Sequence, residues 1–137
     1  ATGTGKTDTI ALYLKRLFEA GLANRALFLV DRIDLGVQTK EVFDEILKDY
    51  TEESVIISPN GSIKGLTEIR EFFQDFFVVI PTGSSFTMKQ KTIVGNVAYI
   101  FWESESSSIK IMAGTDTFVF EGDKIQYHTV ADYRVEQ

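Results

Sequence analysis

Among its 137 residues the sequence has no cysteine, one histidine, one tryptophan and two prolines, and each scarcity excludes something. Without cysteine there is no disulfide framework, no thiolate metal site and no cysteine nucleophile. One histidine cannot build a multi-histidine metal centre within one chain, although carboxylates alone can hold a hard cation such as Mg²⁺. No block of lysine and arginine occurs and the net charge is −6, so neither nucleic acid nor an anionic membrane is expected as a partner. No apolar run is long enough to span a bilayer and no basic n-region marks a leader. A cytoplasmic chain without cofactor or metal is the expectation.

What is present argues for a globular domain with a greasy interior: 44% of the residues are hydrophobic and 12% aromatic, enough for one core in a single domain over residues 1–137. The start, Ala1-Thr-Gly-Thr-Gly-Lys6-Thr7, reads as a phosphate-loop signature. In such a loop, backbone N–H groups and a lysine surround phosphates at a helix N-terminus while a Ser/Thr hydroxyl holds Mg²⁺. The sequence starts inside the signature, and the buried strand that delivers such a loop is not among its residues. Nucleotide binding through Gly5, Lys6 and Thr7 is therefore ranked third among the functional readings.

Ile10, Ala11, Leu14, Leu17 and Phe18 recur at helical spacing and predict a helix over residues 8–20. Residues 22–37 are ambiguous. Ala26-Leu-Phe-Leu-Val30 suits a buried strand, whereas Leu22, Ala26, Leu29, Val30, Ile33 and Val37 suit a helix, which is preferred because no βαβ unit accepts the strand. Helices follow over residues 40–50, burying Val42, Phe43, Ile46, Leu47 and Tyr50, and over 67–80, burying the phenylalanine row and stopping at Pro81.

A short hairpin over residues 55–64 separates them. After Pro81 the period changes to two. Strands 85–94 and 97–104 flank Gly95-Asn96, and strands 109–120 and 124–135 flank Glu121-Gly122-Asp123. Helices first and a long antiparallel sheet last predict an α+β domain whose sheet curls around the helices.

Two resemblances follow from these residues. Ala1 to Thr7 together with Arg25-Ala-Leu-Phe-Leu-Val-Asp31 resembles the first helicase motifs of type I restriction enzyme motor subunits, over less than a third of the chain. Asp49-Tyr50-Thr-Glu-Glu-Ser54-Val, Ser58-Pro-Asn-Gly61, Lys64-Gly-Leu-Thr-Glu-Ile-Arg70 and Gly114-Thr-Asp116-Thr-Phe-Val-Phe120 resemble, in order and spacing, the SnoaL-like and ketosteroid-isomerase-like branch of the nuclear transport factor 2 superfamily, over about residues 40–137. That resemblance implies a cone-shaped α+β barrel with a deep apolar pocket for a small apolar molecule, often in a homodimer built through the sheet. The chain is expected to comprise an N-terminal extension, residues 1–21, and the cone, residues 22–137. The extension's helix is expected to pack on the cone or on a partner subunit. Isomerases, cyclases, dehydratases, epoxide hydrolases and non-catalytic binding modules share this fold, so the fold alone does not choose among them.

Asp116 and His128 are the candidate catalytic pair. A three-residue loop at Glu121-Gly122-Asp123 sets them directly opposite on neighbouring strands, sharing a face with Met112, Gly114, Phe118, Phe120 and Val130; a two-residue loop sets them on opposite faces. Among apolar neighbours such a pair would share a proton and exchange it with a ligand. Asp116 also matches the position where ketosteroid isomerases carry a protonated aspartic acid in the oxyanion hole. Ser58 stands where those enzymes place their general-base aspartate, and no tyrosine stands where their second oxyanion donor belongs, so ordinary ketosteroid isomerisation is disfavoured. Met112, Phe118 and Val130 are candidate substrate-binding residues, with Tyr99 and Phe101 added by the resemblance. The simpler reading of those two is core packing, and of the acidic cluster from Glu41 to Glu53 a solvated helix face.

Overall fold

The computed structural model describes residues 40–81 and 83–137. The phosphate-loop-like start and the helices expected over residues 8–20 and 22–37 lie outside them. Helix α1, Lys40–Leu47, buries Val42, Phe43 and Ile46 on one stripe. It stops short of the expected Tyr50 because Lys48, Asp49 and Tyr50 tighten into a turn, each N–H reaching the carbonyl three residues back. The turn swings Tyr50 into the interior, where it is 3% exposed. It also buries Asp49, which the sequence suggested would be solvated.

Helix α2, Leu66–Val79, buries Ile69, Phe73, Phe76 and Phe77, spaced by one helical turn or two. Its first free N–H, at Leu66, is met by the Glu52 carboxylate. It ends before Pro81, since the residue preceding proline is pushed out of the helical region; Ile80 sits at φ −116° and ψ 78°.

Among the described residues six strands make one open sheet: β1 (Val55–Ser58), β2 (Gly61–Lys64), β3 (Ser85–Val94), β4 (Val97–Glu105), β5 (Ile109–Glu121) and β6 (Lys124–Glu136). Their order is β2-β1-β6-β5-β4-β3. β3 to β6 form an antiparallel meander, and the β1–β2 hairpin joins it through a parallel pairing of β1 with β6. Register shifts at Lys89, Met112 and Gln126 each insert an extra residue. Such bulges bend and twist a sheet, and here the curved sheet takes the two helices on its concave side.

The core lies between them. Ala98, Ile100 and Trp102 of β4, Ile111, Phe118 and Phe120 of β5, and Ile125 and Val130 of β6 meet the helix phenylalanines. Full burial of each isoleucine, valine or phenylalanine side chain contributes roughly 1.5–3 kcal/mol. The end of α1 is fastened to the start of β6: Ile125 N–H donates to the Asp49 carbonyl at 2.7 Å, and the Ser54 hydroxyl donates to the Ile125 carbonyl. That fastening sets Tyr50 above the sheet.

Candidate functional site

The middle of the concave face carries four polar side chains in one hydrogen-bonded line. Asp116 of β5 lies with Oδ2 2.6 Å from His128 Nε2 on β6. Trp102 of β4 donates its indole N–H to Asp116 Oδ1 at 2.8 Å. Tyr50, beyond α1, places its hydroxyl 2.9 Å from His128 Nδ1. Asp116 is 5% exposed and His128 2%, so the line runs wholly inside the protein.

The ends of this line bear on the order of protons in its middle. An indole N–H only donates, so Asp116 Oδ1 accepts. Burial, and after it the charges of Asp116 and Asp49, push the Tyr50 phenol well above its ordinary value. Tyr50 thus keeps its proton and can donate it to Nδ1. With Nδ1 accepting from Tyr50, the imidazole presents its Nε2 proton to Asp116 Oδ2. Every group in the line is satisfied, as burial of polar atoms demands. Around it, Phe118 stacks on the His128 ring at a centroid distance of 4.3 Å, while Phe72 and Phe73 approach at 6.1 and 6.4 Å.

The expected pairing of Asp116 and His128 is present, through a different register. The β5–β6 loop has two residues, Gly122 and Asp123, because Gly122 takes φ +62°, the left-handed conformation that a tight hairpin favours. A two-residue loop alone would set the pair on opposite faces. The Gln126 bulge restores the face: Phe118 opposes His128 and Asp116 opposes Val130, so the dyad is diagonal and not directly opposed.

Phe118 and Val130 lie on the inner face, as expected, and are 2% and 8% exposed. Met112 does not. It is itself the extra residue of a bulge, which reverses the alternation so that Ile111 turns inward and Met112 is 45% exposed. Tyr99 and Phe101 also lie away from the dyad. Their neighbours Ala98, Ile100 and Trp102 occupy the buried face, and Ile100 is the residue opposite Asp116. Both faces of β4 are apolar, so alternation alone could not tell inside from outside.

Tyr50 and Trp102 are the members that sequence reasoning did not assign to the site. A buried tryptophan needs an acceptor for its N–H, and Trp102 stands two strand positions from the partner of Asp116; that signal was available. Trp102 reaches the carboxylate because its register partner is Gly114. A Cβ at position 114 would lie 2.4 Å from the indole ring, so only glycine lets the ring lie flat there.

A cleft of about 500 Å³ opens beside this line. Phe72, Phe76, Val79 and Val130 form its apolar walls; Ser58, Asn60, Asp75, Asp132 and Arg134 give it polar ones. The expected pocket was apolar with Asp116 and His128 in it, whereas this cleft is mixed and Asp116 and His128 are not in its surface. One layer of side chains intervenes: Phe72 meets the His128 ring, Phe76 meets the Trp102 ring at 5.8 Å, and Val130 opposes Asp116. Among the described residues no three carboxylate or histidine side chains converge to hold a metal ion. Nor is any helix among them long and apolar enough to cross a membrane.

Comparison with solved structures finds the same architecture repeatedly. A SnoaL-like polyketide cyclase of Jannaschia sp. CCS1 superposes with a TM-score of 0.69 at 15% identity, over 83% of this chain and 86% of that one. An NTF2-like protein of unknown function from Mesorhizobium loti gives 0.68 at 14% identity, over 84% and 93%. A ketosteroid isomerase of Kribbella flavida gives 0.67 at 12% identity, over 87% and 82%. Likeness at these identities establishes the fold.

The sequence comparisons point elsewhere. Residues 1–120 match the family described as type III restriction enzyme, res subunit. A stretch of 69 residues is 41% identical to the type I restriction enzyme EcoKI endonuclease subunit of Escherichia coli K12, covering 50% of this chain and 6% of that protein. The chain thus spans a small fraction of the curated relative it matches. By sequence the chain belongs to the res-subunit family of restriction enzymes, and its described residues fold as an NTF2-like α+β cone.

Proposed function

We propose that the cone binds a small, largely apolar molecule and exchanges a proton with it through Asp116 and His128, in an isomerisation, cyclisation, dehydration or epoxide opening. The observation that carries this reading is the 2.6 Å contact between Asp116 and His128, enclosed by aromatic rings one side-chain layer from a cleft. A carboxylate and an imidazole so placed pass a proton between them with little reorganisation, and a phenol at the far nitrogen extends the relay. Rotation of Phe72 and Val130 away from the cleft would admit a ligand carbonyl or epoxide oxygen to the pair. Cyclase- and isomerase-type structural relatives support the same class of chemistry.

The restriction-enzyme match supports no motor chemistry for the cone. A nucleotide-binding sheet is largely parallel, with phosphates at strand C-terminal ends, whereas the described strands here are antiparallel except where β1 meets β6. As partner we propose a second copy of the chain, docked through the convex side of the sheet. Rows Tyr127, Val119, Val97 and Thr129, Thr117, Tyr99 cross three strands there without one charge, in a chain of net charge −6.

A thermal-shift screen of the full chain against apolar ketones, epoxides and lactones beside Mg²⁺·ATP tests the reading, because ligand binding raises the melting temperature by mass action. Stabilisation by apolar ligands, with turnover lost in Asp116→Asn and His128→Ala, is the expected result. Stabilisation without any turnover would leave a binding module. Stabilisation by ATP alone would overturn the proposal and return function to Gly5, Lys6 and Thr7.

A further inference from the structure

The polar rim of the cleft contains an arginine held in a fixed orientation. Arg134 donates from Nε to Asp132 Oδ1 at 2.7 Å and from Nη2 to Asp132 Oδ2 at 3.1 Å. The two residues are separated by two positions on β6 and so share a strand face. The Asp132 side chain is 11% exposed and that of Arg134 48%, an anchored carboxylate beneath an open guanidinium. A guanidinium has five N–H donors in a planar fork. The pairing commits one edge, and among the described residues the Nη1 edge has no partner. The hydrogen bond to Asp132 raises the Arg134 pKa further above its already high value, so the group is a permanent cation.

Free surface arginines lose rotamer freedom when they bind an anion. Here the ion pair has already fixed the plane, which leaves the second edge preorganised for a planar two-oxygen acceptor. Phe72, Phe76, Val79 and Val130 supply an apolar bed in the same cleft. Its volume of about 500 Å³ suits a small organic molecule.

We propose that this cleft selects molecules with a carboxylate at one end of an apolar body, the carboxylate on the Nη1 edge of Arg134 and the body against Phe72, Phe76 and Val130. The inference rests on the small-molecule reading of the cone and names the substrate class. Asp75, on the α2 wall of the cleft, works against it: its carboxylate has no partner among the described residues and repels an incoming anion. Neutralising it is a second handle on the same site.

The test is titration calorimetry of the full chain with 2-naphthoate and decanoate, each beside its amide, together with the neutral ketones and epoxides. The acids are expected to bind about tenfold tighter than the amides at low salt, as befits a charge-assisted bidentate contact. That preference should vanish in Arg134→Gln, shrink in Arg134→Lys, weaken with added sodium chloride and grow in Asp75→Asn. Equal binding of acid and amide, or a preference that survives Arg134→Gln, would overturn the carboxylate assignment while leaving the small-molecule reading in place. Binding of the neutral ligands without the acids would do the same. No binding by any of them would remove both.

Discussion

Trp102 lies flat over Gly114, and that contact is what brings its indole N–H to Asp116. Replacing Gly114 by alanine puts a methyl group where the ring is, so the indole must tilt and its bond to the carboxylate breaks. Overpacking and a lost charge-assisted bond together should cost about 2–4 kcal/mol. Because Trp102 is the sole tryptophan, denaturant unfolding followed by its fluorescence reports both the stability and the changed environment. Unchanged stability and emission would mean that the stack is not tight.

Tyr50 should make stability depend on alkaline pH. Its phenol is raised above the ordinary value of 10.0 in the folded state, mainly by burial. The unfolded chain releases this proton near pH 10 and the folded chain holds it. The contribution is therefore complete below about pH 10 and declines as pH rises above it, at up to about 1.4 kcal/mol per pH unit. Tyr50→Phe should remove this slope relative to the parent. At neutral pH the same variant leaves His128 Nδ1 without its donor and should cost about 1–3 kcal/mol. Parallel unfolding curves for the two proteins from pH 8 to 11 would refute this assignment.

Asp116→Asn separates structure from chemistry. The amide still accepts from Trp102, and its NH₂ group faces Nε2, so the imidazole proton must move to Nδ1 and meet the Tyr50 hydroxyl. We expect a loss of about 1–3 kcal/mol, a retained fold by circular dichroism, and a shifted ring-proton signal for His128 in NMR. An unaltered imidazole signal would show that the carboxylate does not set the tautomer.

The two uncharged rows on the convex face carry their own test. Tyr99→Lys with Tyr127→Lys places charge in two adjoining rows of that face, and the double variant should elute as a monomer where the parent elutes as a dimer. Identical elution of both would remove the proposed partner.

Much of the fold was legible because period and punctuation are local. The helix expected over residues 67–80 is found at Leu66–Val79, and the Gly95-Asn96 turn joins β3 and β4 as read. Asp116 and His128 were also brought together. What could not be read was non-local. A bulge adds one residue with no composition of its own, so Gln126 and Met112 gave no warning that register and face would shift. Tyr50 looked like a core residue at a helix end, and its partner His128 stands 78 residues away. Tyr99 and Phe101 fell on the wrong side because both faces of their strand are greasy.

The parallel seam between β1 and β6 has a kinetic consequence. Val55 pairs with Tyr127, more than half the chain away, while β3, β4 and β5 each pair with their immediate successor. Loop-closure entropy favours the meander first and the seam last. Asp116, His128 and Trp102 all belong to the meander, whereas Tyr50 arrives with the segment that the seam secures. The half-built relay is thus expected to wait for its phenol until the chain has closed, so that a refolding molecule would acquire its proton order only in the final step.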